Sequence, residues 1–214
     1  MSLHIVGLVA LGAVLLSLPI ASAPGRHLPF LDALFTSTSA VCVTGLIVVD
    51  TPKHFSLFGQ IVVLLLIQAG GLGYMTISTV VASALGRRVT LQERLTLADS
   101  LNIQSMDHLL RFAGTVAGLT LALEAAGAAA LALRFSADHG WAQGAWLGVF
   151  HAVSAFNNAG FALFSDNLVG YRGDLTVNLT ISVLIILGGL GFLVISEVLR
   201  LRKTDVRPGL STHT

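Results

Sequence analysis

Charge is scarce in this 214-residue chain. Only 11% of its residues are Asp, Glu, Lys or Arg, against about 25% in a soluble domain. That shortfall, with 54% hydrophobic residues and a mean hydropathy of +0.83, argues against a water-soluble globule. An excess of one sign is also missing. The net charge of +1 leaves no basic tail or patch for nucleic acid. Cysteine occurs once, at Cys42, which excludes an intrachain disulfide framework and a cysteine-cluster metal site. The seven histidines show neither HxxH nor HxxxH spacing, and no nucleophile elbow is present, so neither a resident metal, a cofactor nor an enzyme is expected. Proline is rare, at five residues, whereas glycine is abundant, at 22. That pairing suits closely packed transmembrane helices.

A bilayer-crossing helix needs about 20 mostly apolar residues. Leu3–Ala21, Phe55–Leu85, Phe112–Leu133 and Leu175–Leu199 meet or approach that length. Two further apolar pieces, Pro29–Ala40 and Gly144–Phe156, are too short to cross. Each lies between two spans and precedes a polar stretch, which reads as a re-entrant half-helix. Non-helical backbone at membrane depth is tolerated only when buried in protein or lining a water-filled cavity. Ala21-Ser22-Ala23 resembles a leader cleavage site, but the preceding residues lack Lys or Arg and three more spans follow, so cleavage is not expected.

With a cytoplasmic N-terminus, Arg26, Lys53, Arg134 and Arg172 lie outside. Arg87, Arg88, Arg94, Arg111, Arg200, Arg202, Lys203 and Arg207 then lie inside. Eight basic residues inside against four outside obey the positive-inside rule, with both termini cytoplasmic. Asp32, Asp50, Asp138, Asp166 and Asp174 make the outer face slightly acidic, which favours cations over anions.

The chain repeats itself. At a spacing of 115 residues, Phe35 through Ala40 falls on Phe150 through Ala155, and Gly45 falls on Gly160. At a spacing of 118, Gly70-Gly71-Leu72-Gly73 falls on Gly188-Gly189-Leu190-Gly191. A repeat of two spans with cytoplasmic ends is parallel, and parallel repeats surround an axis along the membrane normal. That axis is a natural place for a pore. The carbonyl end of a half-helix entering from outside would favour a cation at mid-membrane. The returning segments, Val41–Gly45 and Phe156–Gly160, carry no acid. Their backbone carbonyls would suit a weakly hydrated monovalent cation, whereas a divalent ion would call for carboxylates. The competing reading is that Gly45 and Gly160 merely cap the two helices.

Glu124, in the middle of the third span, is a functional candidate by default. The blander expectation, a structural residue hydrogen-bonded between helices, is preferred for it and for Gln68. Gly114-xxx-Gly118 and Gly144-xxx-Gly148 are expected to pack helices closely. The Gly-Gly-Leu-Gly runs lie in apolar spans with no preceding strand, so they are not phosphate loops.

The segments Phe30–Thr51, Leu66–Gly73, Leu91–Leu95, Phe150–Phe161 and Leu187–Phe192 resemble the Trk/Ktr/HKT superfamily of potassium transporters, and most closely its KtrB-like subunits. The resemblance implies an all-α membrane protein with tandem parallel repeats of helix, pore helix and helix, each with a re-entrant filter loop. It implies potassium uptake as the activity, with potassium as substrate. The carbonyls of Val43, Thr44 and Gly45, and of Asn158, Ala159 and Gly160, correspond to the family's filter. Asp50 and Asp166 follow the two filters as an outer acidic vestibule, although Ala162 stands where many relatives carry an acid. The expected organisation is a first repeat over 1–86, a cytoplasmic connector over 87–107, a second repeat over 108–203 and a tail over 204–214. The superfamily has four repeats, so the other two are expected from a continuing or separate chain, or from a second copy. The chain stops at Leu210–Thr214, which looks like the approach to a third repeat. Lipid and a cytosolic nucleotide-binding regulatory ring of the RCK/KTN type are the other implied partners. The alternative from another class is a non-conducting membrane scaffold or degenerate half.

Overall fold

The computed structural model describes residues 2–86 and 104–203, with side chains described over 5–73 and 114–190. Among the described residues the chain is helical throughout, and its only β pairing is an isolated bridge between Ser22 and Phe55. We number the α-helices in chain order: α1 Ser2–Ser17, α2 Phe30–Val41, α3 Thr51–His54, α4 Leu57–Gly86, α5 Gln104–His139, α6 Trp141–Phe156 and α7 Leu175–Lys203. The predicted connector, apart from its last residues, and the predicted tail lie outside the described residues.

The helix boundaries depart from the sequence expectations for local reasons. The first helix stops at Ser17 because Pro19 opens a short 3₁₀ turn, Pro19–Ala21. At about 1.5 Å per residue its 16 residues rise about 24 Å. The second long helix begins at Leu57 rather than Phe55. Residues 54–56 instead pair with the first linker, through Ala23 N–H to His54 O at 2.8 Å and Ser56 N–H to Ala21 O at 3.0 Å. The third long helix overruns Phe112–Leu133 at both ends, to 36 residues. Within it Gly114–His139 is long and apolar enough to cross a membrane, by length and composition. Ile5–Ser17, Leu57–Gly73 and Leu175–Leu190 are the apolar parts of the other three long helices among the residues whose side chains are described.

Two short helices pack against long ones. α2 lies on α1 and α4, and α6 lies most extensively on α5, with further contact to α7. Gly140, at φ +78°, turns α5 directly back into α6. Gly144 and Gly148 lie against the backbone of Ser136 and Ala132, as expected of close packing. Among the described residues an added Cβ at Gly114 or Gly118 would meet nothing within 4 Å.

One apolar cluster runs through both halves of the chain. Leu16, Ala33, Val63 and Ile67 join Leu131, Phe135, Leu147, Phe150 and Phe156 in it. A polar link across the halves lies beside it, where Trp146 Nε1 donates to Gln60 Oε1 at 2.8 Å. Outward-facing positions are also apolar, among them Leu65, Leu121, Leu133, Leu175 and Leu179, each more than half exposed. Apolar residues on every face are the pattern of helices that meet lipid or other helices rather than water.

Candidate functional site

The short helices end in the same turn. In α2 the N–H of Val43 bonds Ala40 O at 3.2 Å and that of Thr44 bonds Ser39 O at 2.9 Å. In α6 the N–H of Asn158 bonds Ala155 O at 3.0 Å and that of Ala159 bonds Ser154 O at 2.8 Å. Every partner in the second set lies 115 residues after its counterpart. Both are Schellman turns, with a left-handed residue closing the helix. That residue is Val43 at φ 55° in the first and Asn158 at φ 58° in the second. Asparagine tolerates this region, but a β-branched valine there is a strained outlier.

This assignment removes the capping explanation for the glycines. Gly45 and Gly160 stand two residues beyond the left-handed cap, again at positive φ, +78° and +72°. The helix is already closed before either glycine is reached. Each loop therefore takes a second left-handed step that helix termination does not require. The two steps meet: a Cβ on Gly45 would lie 2.7 Å from Ala159 O and 3.2 Å from Gly160 Cα. The sequence-predicted residues Val43, Thr44, Gly45, Asn158, Ala159 and Gly160 thus form two converging loops.

The second glycine motif seats each loop on a long helix. An added Cβ on Gly70 would overlap Val41 O, and one on Gly188 would overlap Phe156 O. Val41 and Phe156 are the last residues of their short helices. Only glycine lets the long helix approach these carbonyl ends so closely.

Beyond this shared frame the loops are held differently. In the second, Ser154 Oγ donates to Phe161 O at 2.6 Å. His151 is buried, its Nδ1 2.8 Å from Leu147 O and its Nε2 3.3 Å from the N–H of Leu163. Donation from Nδ1 leaves Nε2 to accept, which selects the neutral Nδ1–H tautomer. Asn157 Nδ2 reaches Glu124 Oε1 at 3.0 Å and Gln68 Oε1 at 3.3 Å. The expected role of Glu124 and Gln68 as hydrogen-bonded residues between helices is therefore met, with Asn157 as their shared partner. In the first loop Ser39, the counterpart of Ser154, has a buried hydroxyl without a hydrogen bond. Cys42, the counterpart of Asn157, is exposed.

Ser154, His151 and Asn157 stand inside the segment Phe150–Phe161 that carries the family resemblance, but the sequence alone assigns their side chains no role. The available signal is three hydrogen-bonding side chains spaced three apart over the last two turns of an apolar short helix and its cap. His151→Ala is expected to lower the melting temperature in detergent, because it leaves the Leu163 N–H unpaired and empties a buried site. A loss of about 2 kcal/mol or more follows from the orphaned donor and the cavity together.

Asp50 and Asp166 differ in setting. Asp50 precedes α3 and pairs with Lys53 at 3.1 Å. Burial pushes its carboxyl up, but hydrogen bonds from Ser165 and Lys53 outweigh that and hold it below the usual carboxylate value. Asp166 is exposed and lines an open cavity of about 610 Å³ with Asp138, Tyr171 and Asp174. Arg134 partly offsets that cluster by pairing with Asp138 and Asp174.

A family model for TrkH, described as a cation transport protein, matches residues 12–213. The chain is similar to the Ktr system potassium uptake protein B of Bacillus subtilis, at 43% identity over 96% of this chain and 45% of that protein. It is equally similar to its namesake in Vibrio alginolyticus, at 43% identity over 92% of this chain and 43% of that one. The potassium/sodium uptake protein NtpJ of Enterococcus hirae is 38% identical over 90% of this chain and 43% of its own length. The chain thus spans a little under half the length of these curated relatives.

Proposed function

The chain belongs to the TrkH family of cation transport proteins, and on that premise we propose that its two converging loops line a potassium path. Potassium is the substrate, passing as a partly dehydrated ion. α2 and α6 act as pore helices, and the carbonyls of Val43, Thr44 and Gly45 and of Asn158, Ala159 and Gly160 replace its water shell. The observation that carries this reading is the pair of left-handed glycines, placed beyond closed helix caps and meeting each other. Relatives named for potassium uptake support the choice of ion. A scaffold needs no such second left-handed step.

Two loops supply one side of a carbonyl cage, whereas potassium filters use rings of four. Conduction therefore needs two further repeats, from a continuing chain, a separate chain or a second copy. The deciding experiment is a chimaera in which this chain replaces the matched segment of the Bacillus relative. Expressed in potassium-uptake-deficient bacteria, it is expected to restore growth at low potassium. Normal membrane abundance without uptake would overturn the reading. The isolated chain, reconstituted in liposomes as a monomer, is expected to pass no potassium.

In this arrangement the protein lies in the plasma membrane with the α4–α5 connector and the segment after Leu199 in the cytoplasm. A nucleotide-binding RCK/KTN-type ring is the expected partner there, in keeping with relatives named as parts of a Ktr system. In a Cys42→Ser background of the chimaera, cysteine at Asp166 should react with impermeant reagent outside intact cells. Cysteine at Arg87 or Lys203 should not, and outside labelling at either would invert the topology.

Asp50 and Asp166 form the outer vestibule. Asp166→Asn is expected to lower uptake at low ionic strength and to approach wild type near 1 M salt, where the Debye length is about 3 Å. Asp50→Asn should retain a defect at high salt, because it also breaks the link to Ser165 and Lys53.

A further inference from the structure

Glu124 and Asn157 are 4% and 5% exposed, and Gln68 is half-buried beside them. The Asn157 amide nitrogen lies within hydrogen-bond distance of three acceptors: Glu124 Oε1, Gln68 Oε1 and, at 2.9 Å, Val153 O. It has two protons to give. The arrangement leaves Asn157 Oδ1 and Gln68 Nε2 buried without partners. Each such orphan costs about 1–3 kcal/mol. None of the ion pairs among the described residues involves Glu124. By stability alone this is a poor way to fill a helix interface.

The repeat supplies an internal control. Residues 115 earlier, Cys42 stands for Asn157 and Val9 for Glu124, while Ile186, 118 later, stands for Gln68. The first short helix nevertheless closes with the same Schellman turn. Helix termination therefore does not need the polar cluster. What the cluster adds is reach. Asn157 begins the second loop, Glu124 belongs to α5 of the same half and Gln68 to α4 of the other half. The bonds span 33 and 89 residues of sequence. Burial in the second loop agrees with this: Asn157 and Ala159 are buried, whereas Cys42 and Thr44 are exposed.

We propose that Glu124 and Gln68 are positioning residues that act through the Asn157 side chain to lock the second loop onto both halves of the chain. Among the described residues the first loop has no side-chain link to both halves; its short helix is tied to α1 alone, where Ser37 Oγ donates to Val9 O at 2.8 Å. The lock itself is a statement about the loop. Its consequence for ion choice rests on the potassium-path reading above.

Hydrogen exchange read by mass spectrometry on the purified 214-residue chain in detergent tests the lock. Glu124→Leu removes the acceptor and is expected to speed exchange over residues 157–163 by about tenfold, as expected when a local opening becomes easier. Exchange over residues 42–48 should rise by clearly less, because that loop touches the second at Gly45 but has no hydrogen bond to the cluster among the described residues. Glu124→Gln, whose amide oxygen still accepts from Asn157, should restore near-wild-type exchange. Gln68→Leu should give a smaller acceleration in the same segment, and it stands in for Glu124→Leu if that variant does not fold. Equal acceleration of both loops, or no acceleration over 157–163, would overturn the proposal. So would failure of Glu124→Gln to rescue. The same substitutions in the transporting chimaera separate the two readings. A local loosening with lowered potassium preference supports both. Local loosening with unchanged preference supports the lock and overturns the potassium path.

Discussion

Gly45→Ser is expected to cut the preference for potassium over sodium by about ten- to a hundredfold, the equivalent of about 1.4–2.8 kcal/mol. The residue sits at φ +78°, where an L side chain is strained. The new Cβ would also press on Ala159 O at 2.7 Å and Gly160 Cα at 3.2 Å. One substitution therefore disturbs both loops. From the repeat alone, Gly160→Ser would act alike. The structure separates them, because among the described residues a Cβ on Gly160 meets only Gly45 Cα at 3.3 Å. Its φ of +72° keeps the backbone strain, so the effect is expected in the same direction but smaller. Paired potassium and sodium uptake in the chimaera, normalised to membrane abundance, measures both. Unchanged selectivity in the two variants would mean that these loops are not the filter.

Gly70→Ala and Gly188→Ala are expected to abolish accumulation of folded protein. In a helix interior alanine gains about 1 kcal/mol over glycine from propensity alone. A loss must therefore come from contact. The added methyl groups would overlap Val41 O and Phe156 O, backbone atoms already held in the Schellman turns. Overpacking costs about 1–3 kcal/mol when neighbours can shift, and more when they cannot. Gly73→Ala is the control within the same motif, because among the described residues a Cβ there meets nothing within 4 Å. It should fold normally or gain stability. Size-exclusion profiles and melting temperatures in detergent decide the matter. Equal damage from Gly73→Ala would show that close approach is not the reason for the motif.

The repeat was legible because its markers are local. Ser39 and Ser154, Gly45 and Gly160, Gly70 and Gly188 recur in order along one string of residues. The two short helices were legible for the same reason: Pro29–Ala40 and Gly144–Phe156 are short apolar runs with a polar sequel, and the helices found there are Phe30–Val41 and Trp141–Phe156. The faces of the long helices were not. Their residues are apolar all round, so periodicity carries little information about which side meets which neighbour. Gly114-xxx-Gly118 therefore reads like Gly144-xxx-Gly148, although among the described residues only the latter pair lies against a neighbouring backbone.

The sequence by itself determined that this chain is helical and apolar, that it carries two short helices ending in glycine-bearing loops, and that it resembles potassium transporters. Those properties follow from composition and from residues within a few positions of each other. Tertiary structure decided that Val43 and Asn158, not the glycines, close the short helices. It decided that Gly45 and Gly160 touch, that Asn157 joins Glu124 to Gln68, and that the outer acids sit in unlike settings. These are facts about groups brought together from far apart in the chain. A buried amide takes whichever partners the packing leaves within 3 Å or so, and no local pattern of residues specifies which those are.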